Sequence, residues 1–327
     1  MPRIGMNPAR NRDSGYQPSR VTLAVLTHVP NDDGYFTHRF DVLRLCIESL
    51  IRNTQPACDL IIFDNASSPD VVNYLRGLYD AGKVQYLILS SRNIGKIDAL
   101  QMIFRAAPGE IIAYTDDDIL FLPGWLDAHL KILDTYPKVG VVTGFYIRSQ
   151  MNWSVISTLQ FTSQAGVTTD KGLLWDTHWE QHYMENMGRT PEKYQEETRG
   201  LEDVRFTFKG VQAFASAGHH QFVAHKSVLQ EALPADWSGR LMGKMREFDD
   251  TLDQLGYLRL NTAEPVTRLL GNIISTENAE LAGQMGIQVE AAAYQAPSAA
   301  QQKLSRIPLL NGLARRLYRW LYKFINA

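Results

Sequence analysis

Three consecutive carboxylates, Asp116, Asp117 and Asp118, stand directly behind the apolar run Ile111-Ile112-Ala113-Tyr114-Thr115. Carboxylates crowded this closely repel one another. A bound divalent cation removes that cost, and hard oxygen ligands suit Mg2+ or Mn2+, which in turn can neutralise a diphosphate. The bland alternative is a solvated acidic turn, and a position at the end of a buried strand argues against it. A further acid, Asp64, closes the apolar run Leu60-Ile61-Ile62-Phe63 and is followed by Asn65. Two other spacings invite chemistry but do not carry it. Gly77 to Lys83 matches a phosphate-binding loop until Val84, which replaces the magnesium-binding Ser or Thr and leads into a strand. His178 and His182 lie one helical turn apart, but Glu180 is displaced from its zinc-protease position and no third ligand is evident.

The elements that must position these acids follow from apolar periodicity. Val21–Thr27, Leu60–Phe63, Val84–Leu89, Ile111–Thr115 and Val139–Thr143 read as buried strands. Between them, His38–Arg52, a segment from Ser68, Ile97–Ala107 and Pro123–Leu133 carry apolar residues at helical spacing. Strands alternating with helices of this length make βαβ units and a mostly parallel sheet. Ligands of such sheets bind beyond the carboxyl ends of the strands. Asp64 and Asp116–Asp118 both fall on that rim. Residues 144–235 show weak periodicity and are expected as strands and loops completing a cleft, and Phe248–Leu255 as a short helix.

The formal charge of −2 hides a split. No acid follows Glu290, whereas Lys303, Arg306, Arg315, Arg316, Arg319 and Lys323 do, so the body carries −8 and the tail +6. An acidic body excludes a general nucleic-acid grip. Cys46 and Cys58 lack metal-ligand spacing and read as free thiols of a reducing compartment, the cytoplasm. Residues 1–20 hold Arg3, Arg10, Arg12 and Arg20 without an apolar run, which suits a disordered leader and not a secretory signal. No stretch reaches the length of a membrane-spanning helix.

Four features in order resemble family 2 glycosyltransferases of the GT-A nucleotide-sugar fold. They are Thr27-His28 after the first strand, Phe63-Asp64-Asn65-Ala66-Ser67, Arg92-Asn93-Ile94-Gly95-Lys96, and the acidic triplet followed by Pro123-Gly124-Trp125-Leu126. They resemble that family's strand end, its "VDNGS" and "N-x-G" segments, and its D-x-D motif, and the resemblance spans Val21 to about Gly271. It implies an α/β, Rossmann-like, mostly parallel sheet flanked by helices. With the composition of the ends, the chain is expected to divide into a disordered leader (1–20), the catalytic domain (21–278), an Ala/Gln-rich linker with some helix (279–303) and a basic amphipathic C-terminal helix (304–327).

The resemblance also implies roles. Thr27, Asp64, Asn65, Asn93, Lys96, Asp116 and Asp117 would serve the nucleotide, and Asp116 and Asp118 would hold Mn2+ or Mg2+. A nucleotide-diphosphate sugar, with UDP-sugars favoured, would donate its sugar with inversion to a glycan, a cell-envelope polysaccharide or a lipid-linked acceptor. Inverting transfer needs a base for the acceptor hydroxyl, and a carboxylate within hydrogen-bond reach suits that role. Glu247-Phe248-Asp249-Asp250-Thr251-Leu252 resembles the family's "E-D-x-D-L" segment, with Phe248 in place of the usual Glu, so Asp249 is preferred as the base over Asp250. The family's late His before a "G-N" pair is missing at Leu270-Gly271-Asn272. Trp175, His178, Trp179 and His182 would stack on a sugar or simply pack, and His219-His220 is uninformative.

In the tail, Leu310, Leu313, Leu317, Leu321 and Phe324 share one helical stripe, with the basic residues mostly elsewhere. That pattern suits an anionic membrane surface, placing the protein peripherally on the inner face. It equally suits docking on the acidic body or on another subunit. A sugar nucleotidyltransferase would need a Gly- and Arg-rich loop after the first strand, where this chain has the acidic His28–Gly34. A non-catalytic sugar- or nucleotide-binding module is the remaining alternative.

Overall fold

The structure is a computed structural model that describes residues 5–7, 9–10, 12–242 and 245–292. The helix expected over 304–327 lies outside the described residues, as does the expected linker beyond residue 292. In chain order the first part holds β1 (Val21–Thr27), α1 (Arg39–Arg52), β2 (Asp59–Asn65), α2 (Pro69–Asp80), β3 (Tyr86–Ser90), α3 (Lys96–Ala106), β4 (Ile111–Asp116), β5 (Ile119–Phe121), α4 (Trp125–Thr135) and β6 (Val139–Thr143). The second part holds α5 (Ile156–Phe161), β7 (Val167–Gly172), α6 (Thr177–Asn186), α7 (Pro191–Thr198), β8 (Asp203–Phe208), β9 (Val211–Ala215), β10 (Gln221–His225), α8 (Lys226–Ala232), α9 (Met245–Gln254), β11 (Leu258–Thr262), β12 (Thr267–Leu269) and α10 (Thr276–Gln284).

One sheet runs β3-β2-β1-β4-β10-β6-β11-β9-β8-β7. The first four strands are mutually parallel, β6 and β11 are parallel to each other, and β10 lies antiparallel between β4 and β6. The central sheet is therefore mostly parallel, as expected, with an antiparallel extension through β9, β8 and β7. β5 and β12 form a separate two-stranded ladder at the rim.

Every residue of β1 and β2 is buried, because helices cover both faces of the sheet. Val21, Leu23 and Val25 face α1, α2 and α4 through Leu43, Ile47, Leu50, Val71, Leu75 and Trp125. The alternate residues Ala24 and Leu26 face α3, α8 and α9 through Ile97, Leu100, Phe104, Leu229, Phe248 and Leu252. Each fully buried Leu, Ile or Phe contributes about 1.5–3 kcal/mol, so this two-sided packing sets the strand register.

The structure adds detail in three places. Residues 144–235 contain four α-helices as well as strands; α6 and α7 are short and polar, so their period is faint. Residues 279–292, the first part of the expected linker, begin inside α10, and Ala282 and Ile287 pack on Val42 and Leu45 of α1. Within the expected leader, Ser19 N–H and the Tyr16 hydroxyl donate to Asp59, both at 2.9 Å. Among the described residues no helix is long and apolar enough to cross a membrane.

Candidate active site

The carboxyl ends of β1, β2 and β4 bring Thr27, Asp64, Asn65 and the acidic triplet to one rim. Thr27 is in register with Asp64, and Leu26 with Asp116. Past β2 the chain turns through Ala66 at φ +67°, the left-handed region in which a glycine is normally preferred. The turn lets Ser67 N–H donate to the Asp64 carboxylate at 3.3 Å. Asp64 is 1% exposed, and burial raises its pKa against the pull of Ser67 and His28. Asn65 donates to Asn93 Oδ1 at 3.0 Å and accepts from Ile94 N–H at 2.9 Å, so the second and third motif segments hold each other.

Gly95 shows why that segment needs glycine. Its φ is +88°, and a Cβ there would meet the backbone oxygen of Arg240 at 2.1 Å. The covering loop is fixed by Asp98, which accepts from Ser238 N–H at 2.7 Å and Gly239 N–H at 2.9 Å. This contact starts α3 where Lys96 can reach the acidic triplet.

Lys96 Nζ lies 2.6 Å from both oxygens of Asp116, and the Tyr114 hydroxyl donates to Asp116 at 2.5 Å. Burial alone would raise the Asp116 pKa, but Lys96 reverses the shift and holds it below the ordinary value. Asp117 points back into the protein. It accepts from Thr27 Oγ1 at 2.6 Å and is paired with the Arg39 guanidinium. Arg39 also donates to Asp118 at 3.0 Å and to the carbonyl of Gly271 at 2.8 Å. Burial, with the neighbouring Asp117 and Asp116, pushes Asp118 up to about 6 despite Arg39.

These contacts correct the electrostatic premise drawn from the sequence. Lys96 and Arg39 already offset much of the repulsion within the triplet, so crowding alone does not demand a metal. Among the described residues no group of three or more His, Cys, Asp or Glu could hold a metal ion. Asp118 Oδ1, however, is buried without a hydrogen-bond partner. One free carboxylate oxygen beside Asp116 fits a hard cation held by one or two carboxylates plus substrate phosphates, which is how Mg2+ is commonly bound. The Leu270-Gly271 segment, where a histidine ligand was missing, lies against the triplet through its backbone; Leu270 N–H donates to Asp118 O at 2.7 Å.

Asp249 reaches the same rim from far along the chain. The expected motif lies inside α9, which begins at Met245 and so earlier than expected. Phe248, the residue that departs from the motif, is 2% exposed and stacks on Phe222 of β10 at 5.9 Å; Phe222 packs on Tyr114 at 5.1 Å. That aromatic stack seats α9 against β10 and β4. Asp249 then accepts from His219 Nδ1 at 3.0 Å and lies 3.1 Å from Arg259 of β11. Arg259 is fully buried and donates to the carbonyls of Ser154 and Ala217 at 2.8 and 2.5 Å. The rings of His219 and His220 stack at 5.0 Å, and the carbonyl of His220 accepts from Asp116 N–H at 2.7 Å. Burial and His219 lower the His220 pKa to about 3, so its ring is neutral.

Asp250 turns away from this cluster and accepts from Ser154 Oγ at 2.5 Å. Asp253, further along α9, accepts from Ser157 N–H and Oγ at 2.8 and 2.7 Å at the start of α5. Trp175 packs on Tyr146 and Phe214, His178 pairs with Glu277, and His182 binds Arg268 and the Leu269 carbonyl. The two histidines therefore have separate partners. Sequence reasoning missed Arg39, Tyr114 and Arg259 and set His219-His220 aside. The only visible signal was the histidine pair itself, and the partner of His219, Asp249, lies 30 residues away.

The sequence model described as glycosyl transferase family 2 matches residues 36–212. No curated protein matches the chain. Among solved structures, the chain is similar to the mannosyltransferase PcManGT from Pyrobaculum calidifontis in complex with GDP-Man and Mn2+, at 24% identity and TM-score 0.33, covering 43% of this chain and 39% of that one. GalNAc-T7 with UDP, GalNAc and Mn2+ is similar at 14% identity and TM-score 0.46, covering 76% and 42% respectively. S. aureus TarS with UDP-GlcNAc is similar at 14% identity and TM-score 0.30, covering 38% and 34%. The chain thus spans less than half of each of these structures. The family match covers just over half of the chain and takes in Asp64, the Asn93–Lys96 segment and the acidic triplet, so the chain belongs to glycosyl transferase family 2.

Proposed function

We propose that this protein transfers a sugar from a nucleotide-diphosphate donor, with UDP-sugars favoured, to an acceptor hydroxyl, and that the anomeric configuration inverts. The observation that carries this reading is the meeting of two centres on one rim. Asp64, Asn65, Asn93, Lys96 and the acidic triplet form the donor side, and Asp249 with His219 the acceptor side. Asp64 accepts from the nucleoside, with Asn65 and Asn93 bracing its loop. Thr27 and Asp117 shape the site from behind, and Lys96 offers its charge to the diphosphate. Asp116 and Asp118 would hold Mn2+ or Mg2+, which when bound offsets the charge developing on the leaving diphosphate. Asp249 supplies the negative charge that favours deprotonation of the acceptor, and Asp250 is left to anchor α9.

The acceptor is a glycan, a polysaccharide or a lipid-linked sugar. The basic, amphipathic sequence of 304–327 supports an acceptor at an anionic membrane surface. Loss of liposome co-sedimentation on deleting 304–327, with turnover in solution retained, is the expected result. Unchanged co-sedimentation would contradict it.

A donor panel tests the enzymatic reading. Purified protein is incubated with UDP-, GDP- and TDP-sugars, with and without Mn2+, and free nucleoside diphosphate is measured. Release from one donor class, stimulated by Mn2+, is expected. Nucleotide binding without release from any donor would point to a binding module, and pyrophosphate-dependent formation of a nucleoside triphosphate to a nucleotidyltransferase.

A further inference from the structure

The Asp249 side chain is 2% exposed, and its two oxygens face His219 at 3.0 Å and Arg259 at 3.1 Å. Neither oxygen is open to an incoming hydroxyl. The His219 side chain, by contrast, is 25% exposed. Its Nδ1 is engaged by Asp249, and no hydrogen-bond partner for its Nε2 is found among the described residues. An ionised carboxylate on Nδ1 fixes the proton there and leaves the Nε2 lone pair available.

We infer that His219 is the catalytic base of the transfer and that Asp249 is its positioning residue, acting through Nδ1. This deepens the glycosyltransferase reading and rests on it. In the step, His219 Nε2 takes the acceptor's hydroxyl proton while the acceptor oxygen forms a bond to the anomeric carbon. The bond from that carbon to the diphosphate oxygen breaks, and the nucleoside diphosphate leaves with the electron pair. The proton ends on an imidazolium facing Asp249. A histidine serves this purpose because its ordinary pKa lies near neutrality, where a base is both deprotonated and strong enough to accept a proton.

The surroundings fit the role. Arg259 is fully buried and tied to backbone carbonyls, so it holds Asp249 in place. His220 stacks on the other side of His219 at 5.0 Å and joins this centre to Asp116 through its backbone. Asp249 on α9 contacts His219, Arg259 on β11 contacts Asp249 with Asp250 and Asp253 also near it, and Asp116 and Lys96 lie beyond His220.

The test uses full-length protein and the release of nucleoside diphosphate from the sugar donor that the wild type hydrolyses, with water as acceptor. His219→Ala is expected to lower kcat roughly 100-fold or more, the usual contribution of a positioned base, while the affinity for the nucleoside diphosphate by calorimetry stays within about twofold. Added imidazole is expected to restore part of the lost rate in His219→Ala. Asp249→Asn is expected to retain partial turnover and to shift the acidic limb of the kcat–pH profile. Near-wild-type turnover by His219→Ala, or an acidic limb in the carboxylate range that His219→Ala leaves in place, overturns the inference while the glycosyltransferase reading stands. A wild type that binds no nucleotide and releases none from any donor overturns both. Retained nucleotide affinity in His219→Ala excludes misfolding as the cause of its lost rate.

Discussion

The proposed donor side and the proposed acceptor side of this molecule are assembled in different ways. On the donor side, each of β1, β2 and β4 delivers its polar residues at its own carboxyl end, so chain order and spatial order coincide. On the acceptor side, His219 precedes β10, Asp249 lies on α9 and Arg259 on β11, and they meet only because β10 enters the sheet antiparallel between β4 and β6. The donor side is held by backbone turns as well as by the Lys96–Asp116 and Arg39–Asp117 pairs. The acceptor side depends on a buried charge pair and an aromatic stack, so a single side chain can undo it. The family match takes in the β2 and β4 motifs and the Asn93–Lys96 segment and ends before His219.

The strongest way to break this contrast is to remove the buried cation of the acceptor side. Arg259→Leu leaves Asp249 buried beside no fixed positive charge, which typically costs about 3–5 kcal/mol. Thermal melting should report that loss, and sugar transfer should fall more than nucleotide affinity does. Equal losses of both would erase the distinction between the two sides.

On the donor side, the most damaging backbone change is Gly95→Ala. It forces a side chain into a left-handed, extended conformation and onto the Arg240 carbonyl. A cost of about 3 kcal/mol is expected, from backbone strain together with the clash. Because Lys96 starts at this contact, nucleotide affinity measured by calorimetry should drop while the His219–Asp249 pair persists.

A pH experiment probes the seam between the sides. His129 of α4 is fully buried, with Nδ1 2.6 Å from the Trp125 carbonyl and Nε2 3.2 Å from Gln221 of β10. Burial lowers its pKa from 6.5 to about 4. The unfolded chain takes up this proton near pH 6.5, and the folded chain only near 4. The contribution is therefore complete above 6.5 and is lost as pH falls through that window, by about 3 kcal/mol at most. Urea unfolding between pH 7 and 4 should show this loss, and His129→Gln should flatten it.

The smallest effect is expected at Ala66, which occupies a left-handed turn at φ +67°. Ala66→Gly should be neutral or stabilise by up to about 1 kcal/mol by denaturant titration, because only the non-glycine residue is strained there. Marked destabilisation would show that the Ala66 methyl contributes packing that outweighs the strain.

The same contrast explains what could be read from sequence. Asp64 and Asp116 each end an apolar run, so their place on the strand rim followed from pattern alone. The direction of the Asp117 side chain did not, because it depends on Thr27 and Arg39, 90 and 78 residues away. Phe248 looked like a flaw in a motif, yet it is the ring that seats α9. The His219-His220 pair carried no periodic or spacing signal, since its meaning comes from Asp249 across the sheet. Helices α6 and α7 escaped notice because their polar faces leave no clear apolar stripe.

The central claim is that the rim around the acidic triplet binds a nucleotide diphosphate together with a divalent cation. Calorimetric titration of UDP, GDP and TDP into wild type and Asp118→Asn, each with and without Mn2+, tests it most directly. The account predicts that one nucleotide binds, that Mn2+ tightens its binding, and that Asp118→Asn removes most of the Mn2+ effect without unfolding the protein. Absence of binding by all three nucleotides in the presence of Mn2+, or a Mn2+ effect unchanged in Asp118→Asn, would contradict it.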